Sequence, residues 1–128
     1  MELKNFNTAR VPRTNVIIPQ AMIAGNTIYV SGTVGVDPST GKLVEGGYEK
    51  QVIQAFRNVK TILEDAGSGM QKVIKTTLFM VSGEDTSFSV VNKVYSEFFP
   101  VNPPARSAPQ VMPFPSGILF SIECIALI

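Results

Sequence analysis

The segment ILFSIECIALI, Ile118 to Ile128, constrains the fold more than any other part of the chain. Read as a strand, it alternates Ile118, Phe120, Ile122, Cys124 and Ala126 with Leu119, Ser121, Glu123, Ile125 and Leu127. Both faces are substantially apolar, so the strand belongs inside a sheet that is covered on each side. Two other segments can cover one side. From Tyr48 to Ala66 the apolar residues Val52, Ala55, Phe56, Val59, Ile62, Leu63 and Ala66 recur at intervals of three and four, while Glu49, Lys50, Arg57, Lys60 and Glu64 fall mostly elsewhere. Gly67 follows as a helix stop. A second run, Phe88, Val91, Val94, Tyr95 and Phe98, follows Asp85, Thr86 and Ser87, any of which can cap it, and halts before Pro100. The spacings predict two amphipathic helices.

Strand signals fill the remainder. NTIYVS, Asn26 to Ser31, follows a Gly25-Asn26 turn with Ala21 to Ala24 before it, which is a hairpin pattern. Val73 to Val81 and Gly117 to Ile128 are long β-branched and apolar runs, and Arg106 to Met112 alternates less cleanly because Pro109 interrupts it. The order β-β-α-β-α-β-β predicts an α+β sandwich, with two helices on one face of a mixed sheet. The other face then needs a cover, and the expectation is association through it. A length of 128 residues suits a single domain, 1–128. The loops Asp37 to Gly47 and Val101 to Pro104 are too short to read as linkers.

Composition excludes several function classes. With 11 Lys+Arg against 10 Asp+Glu and no basic cluster, the chain lacks the electrostatic footprint of nucleic-acid binding. It has no histidine and one cysteine, Cys124, which leaves no intramolecular disulfide, no zinc set and no Cys-His or Ser-His pair. Cys124 reads as inert packing, and any metal chemistry would have to rest on carboxylates alone. Gly67-Ser68-Gly69 follows a helix instead of preceding one, the wrong context for a phosphate cradle. The longest apolar stretch, Ile118 to Ile128, is interrupted by Ser121, Glu123 and Cys124, so the expectation is a soluble, cytoplasmic protein with no membrane partner.

Several segments resemble one known family. QAMIAGNTIYVSG (Gln20 to Gly32), VNKVYSEFF (Val91 to Phe99), PPARS (Pro103 to Ser107) and IECIA (Ile122 to Ala126) are similar to the motifs of the RidA, or YjgF-type, proteins, in that family's order and spacing. The loop DPSTGKLVEGG and the strand KTTLFM match as well. The resemblance implies a chorismate-mutase-like fold assembled as a homotrimer, with ligand clefts between neighbouring subunits. It also implies hydrolysis of reactive 2-imino acids, such as 2-iminobutanoate and 2-iminopropanoate, to 2-oxo acids and ammonia, without metal or organic cofactor. A mitochondrial location occurs in such a family beside the cytoplasmic one.

The resemblance singles out individual residues. Composition alone makes Arg106 a surface arginine near a turn; its place in PPARS makes it the clamp for a substrate carboxylate, which a guanidinium grips through two parallel charge-assisted hydrogen bonds. Glu123 is an acid in an otherwise apolar strand, costly unless paired or facing a cleft, and the family position holds the attacking water. As a purely structural residue it would partner a backbone amide or a neighbouring subunit's cation. Asn92, on the polar side of the second helix, either bonds a loop or lines the cleft. Ser31 and Gly32 line it by resemblance, and by their residue types read as a turn. Backbone groups at Ala108 meet the ligand by the same resemblance.

Two departures stand out. Ile18 replaces the tyrosine usual in the family's G-P-Y-S-Q-A segment, which gives a more apolar pocket, and Ala108 replaces the usual Cys or Thr. Both favour an alternative function, a trimeric binder of small carboxylates or a protein-stabilising partner without turnover. A third reading, an RNA-cleaving translation inhibitor, has been attached to some relatives. The absent histidines and basic patch oppose it.

Overall fold

The computed structural model describes residues 2–128. Both periodic segments are helices, α1 over Tyr48–Asp65 and α2 over Ser89–Phe98. The buried face of α1 carries Val52, Phe56, Val59, Ile62 and Leu63, as the three-and-four spacing predicts. Its end is a Schellman motif: Ser68 N donates to Leu63 O at 2.8 Å, Gly67 N donates to Glu64 O at 3.1 Å, and Gly67 takes a φ of 89°. Two buried amides on α1 hold irregular backbone. Gln51 accepts from Leu119 N and donates to Gly117 O, while Asn58 donates to both Val34 O and Val36 O.

Helix α2 is capped from a distance. Phe88 occupies the N-cap position with a φ of 62° and offers no polar side chain. Its capping groups come from Asp85, whose carboxylate accepts from Val90 N at 3.2 Å and Val91 N at 2.9 Å. Of the three expected caps, Asp85 serves, although it lies outside the usual position because the left-handed Phe88 turns the chain between them.

Seven strands form one mixed sheet: β1 (Leu3–Phe6), β2 (Ala21–Ala24), β3 (Thr27–Thr33), β4 (Val73–Val81), β5 (Ala105–Ser107), β6 (Gln110–Val111) and β7 (Phe120–Leu127). Their order is β1-β2-β3-β7-β4-β5, with β6 also on β4. β2 and β3 are the expected hairpin, closed by Gly25 at a φ of 60°. The parallel pairs are β4 with β5 and β4 with β6.

Three expectations need correction. β1 went unpredicted, because LKNF neither alternates nor is β-branched. The segment expected as one strand over Arg106 to Met112 is two, parted at Ala108-Pro109, where the proline has no N–H for a ladder. The last strand starts at Phe120 instead of Gly117, since Pro115–Gly117 forms a 3-10 turn.

Both helices lie on one face. There Ile28, Leu78, Met80, Phe120, Ile122 and Ala126 are fully buried. Phe56 sits at the centre, with ring centroids of Tyr95, Phe98, Phe99 and Phe120 between 5.2 and 6.2 Å away. Burying one such ring contributes roughly 1.5 to 3 kcal/mol. On the opposite face nothing among the described residues covers the centre of the sheet, where Tyr29 is 47% exposed.

Candidate functional site

Arg106 stands on β5, paired with Thr76 of β4 in parallel register. Directly paired residues share a face, so its side chain leaves toward the helices. Its Nη1 donates to Asn92 Oδ1 at 2.7 Å, and its Cζ lies 4.9 Å from the centroid of the Tyr95 ring. A cation over an aromatic face adds about 0.5 to 1 kcal/mol at an exposed site. Tyr95 is itself anchored: its hydroxyl shares a hydrogen bond of 2.8 Å with Thr76 Oγ1. Burial raises the Tyr95 phenol above its ordinary range, opposed by the Thr76 hydrogen bond and by Arg106.

Because arginine only donates, Asn92 turns its oxygen inward and its Nδ2 hydrogens away from the guanidinium. The remaining guanidinium N–H groups stay free to donate to a ligand. Among the described residues the ion pairs are Arg10–Asp65, Lys60–Glu64 and Lys93–Glu49; Arg106 has no carboxylate partner. The sequence reading assigned Tyr95 to the core and missed its contact with the arginine. The available signal was helical: Asn92 and Tyr95 are three apart and so share a face of α2.

Glu123 lies elsewhere. It pairs with Thr77 on β4, the residue next to Thr76, so its side chain leaves the uncovered face. There it lines a groove of about 360 Å³ together with Tyr29, Lys75, Thr77 and Ile125. Lys75 Nζ reaches Ser107 Oγ at 3.3 Å on this same face.

The other expected residues form a third group. Ile18, Ser31 and Gly32 line a separate cavity of about 290 Å³, with Arg13, Val36 and Ile62 among its other walls. Ser31 is in β3, not in a turn after it. Its hydroxyl donates to Pro19 O at 2.7 Å and its N–H to Gln20 O at 2.9 Å, which fixes the loop carrying Ile18. Gln20 completes that anchorage by donating to Val11 O at 2.6 Å and accepting from Thr8 N at 2.7 Å. Arg13 donates to Val16 O and Ile18 O, so this arginine is committed to the loop.

Within one chain the expected site residues are therefore apart. Asn92 and Arg106 meet, with Ala108 two residues on at the break between β5 and β6. β3, which carries Ser31 and Gly32, is three strand spacings from β5, about 14 Å. Burial pushes the Cys124 thiol up to about 12, with Glu123 adding to the effect, which leaves it a poor nucleophile.

Comparison with known proteins agrees with this architecture. The family model described as Endoribonuclease L-PSP matches residues 12–128. A human protein named 2-iminobutanoate/2-iminopropanoate deaminase is 40% identical over 122 residues, covering 95% of this chain and 88% of that one. An Entamoeba histolytica endoribonuclease L-PSP crystal structure superposes with a TM-score of 0.92 at 35% identity, covering 99% of this chain and 100% of that chain. RidA from an Antarctic Psychrobacter bacterium does so with a TM-score of 0.90 at 35% identity, covering 98% of this chain and 99% of that one. Motifs, sheet order and relatives coincide along nearly the whole length, and the chain belongs to the RidA family, the YjgF-type proteins.

Proposed function

We propose that this protein hydrolyses small 2-imino acids, 2-iminobutanoate and 2-iminopropanoate among them, to the 2-oxo acid and ammonia. The observation that carries the reading is Arg106, held by Asn92 and Tyr95 with no carboxylate partner among the described residues. A planar carboxylate fits two of its parallel N–H groups, each worth roughly 1.5 to 3 kcal/mol. The human relative's name points to the same substrates.

In the reaction, the carboxylate is clamped and the protonated imine exposes its carbon to water. Glu123 orients that water and takes its proton as the C–O bond forms. Glu123 returns that proton to the amino nitrogen of the carbinolamine, and as the C–N bond breaks the hydroxyl proton passes to Glu123, so ammonia leaves and the C=O of the 2-oxo acid forms. Arg106 and Glu123 leave opposite faces of one chain's sheet, so the arginine of one copy works with the glutamate of a neighbour. A homotrimer joined through the uncovered sheet faces supplies that neighbour and covers Tyr29 and Ile125. Ile18, Ser31, Gly32 and the backbone at Ala108 complete the cleft walls.

The test is to generate 2-iminobutanoate with an amino-acid oxidase, trap it with semicarbazide, and compare wild type with Arg106→Ala. Faster loss of trapped product with wild type, reduced at least about tenfold in the variant, supports the reading. Carboxylate binding without acceleration overturns it in favour of a binder, the outcome Ile18 and Ala108 favour. Cleavage of RNA by both proteins would favour the activity in the family model's description, which a net charge of +1 and the absence of histidine oppose.

A further inference from the structure

The Val81 to Ser87 connection brings a buried carboxylate against both helix starts. Asp85 is 5% exposed, and its Oδ2 accepts from Tyr48 Oη at 2.8 Å and from Val91 N at 2.9 Å, while Oδ1 accepts from Val90 N at 3.2 Å. Tyr48 is the first residue of α1, and Val90 and Val91 lie in the first turn of α2. Burial, then the Asp85 carboxylate, drives the Tyr48 phenol far above its ordinary range, so it stays a donor. One carboxylate thus joins the amino ends of both helices, where the helix dipole favours negative charge.

The residue after Val91 is Asn92, which holds Arg106. Phe88, in the left-handed region with no polar side chain, cannot set this turn itself, although its carbonyl accepts from Asn92 N at 2.9 Å. We propose that Asp85, with Tyr48 as its donor, is a positioning residue for the Arg106 clamp: it fixes the first turn of α2 and through it the Asn92 amide. This rests on the carboxylate-clamp reading above. Asp85 touches no substrate and acts only through Asn92.

The experiment is a double-mutant cycle in the full chain, using Asp85→Asn, Tyr48→Phe and Asn92→Ala, singly and paired. Two readouts separate the proposals: imine turnover, and calorimetric binding of 2-oxobutanoate, a stable carboxylate that needs no catalysis. Tyr48→Phe keeps the ring in the core and removes only its hydroxyl, which guards against a variant that does not fold. The expected result is weaker 2-oxobutanoate binding and a raised KM in Asp85→Asn and Tyr48→Phe, with kcat changed less. In the Asn92→Ala background the same changes should have less effect, a non-additivity of at least about threefold. Effects that add fully, or that appear only as lower thermal stability, overturn the positioning role. Absent turnover in wild type with the binding non-additivity intact would sink the deaminase reading alone.

Discussion

Arg106 and Glu123 pair with adjacent residues of one strand, Thr76 and Thr77, and by that single step leave opposite faces of the sheet. An arginine and a glutamate so placed cannot meet on one substrate within a chain. If they cooperate, they do so across an interface, and a vacant place in one copy can be filled by another.

Complementation tests this directly. Arg106→Ala and Glu123→Gln should each be inactive alone, whereas refolding them together should restore about a quarter of the wild-type activity in a random mixture, because each site draws one residue from each of two copies. Activity no greater than the sum of the separate variants would place both residues in one chain's site. Light scattering should give a mass about three times 13.9 kDa for the wild type.

The Tyr95 platform predicts a graded response. Tyr95→Phe keeps the ring beneath the guanidinium and loses the hydroxyl's bonds to Thr76 Oγ1 and Pro104 O, so kcat/KM should fall by about threefold. Tyr95→Leu removes the aromatic face as well and should fall further, by about tenfold in all. Equal losses in the two variants would show that the ring face contributes nothing.

Acid should release the amino-terminal segment. Asp65 accepts from Thr8 Oγ1 and Arg10 Nη1, both at 2.6 Å, and these contacts, Thr8 foremost, hold its carboxyl below the usual 3.8. A lowered value in the folded state means the contribution is present above about pH 3.8 and is lost as pH falls through the folded value. Amide exchange near Thr8 and Arg10 should accelerate over that acid range, and Asp65→Asn should show the fast rate at neutral pH. Unchanged exchange in the variant would remove the tie from the account.

Alkali acts through Cys124. Its thiol is pushed up from 9.0 to about 12, chiefly by burial, so the stabilisation is complete below pH 9.0 and is lost as pH rises toward 12. At pH 8 a thiol reagent should label the native protein only as fast as it opens, and labelling in denaturant should be immediate. Cys124→Ala should flatten the alkaline fall in stability. Rapid native labelling would contradict the burial of Cys124.

What the sequence made legible follows from how local each determinant is. The faces of α1 and α2 were readable because Val52, Phe56, Val59 and Val91, Val94, Tyr95 carry their own period. Arg106 and Asn92 were singled out as candidates through their motifs, and their side chains do meet. Their separation from Glu123 was not, because it depends on whether β4 offers Thr76 or Thr77 to each neighbour, a register set by distant pairing. Asp85 was readable as a cap, but its bond to Tyr48 spans 37 residues. β1 was missed because it exists only against β2.

The break at Ala108-Pro109 has a consequence for misassembly. It divides the outer border of the sheet into strands of three and two residues, with a proline between them whose carbonyl is already taken by Met80 N. The far border, β1, is four residues long and carries Lys4. Neither border offers a long, flat row of unpaired backbone groups, so an incoming chain finds little on which to extend the sheet indefinitely. Edge-to-edge fibril growth therefore loses its template.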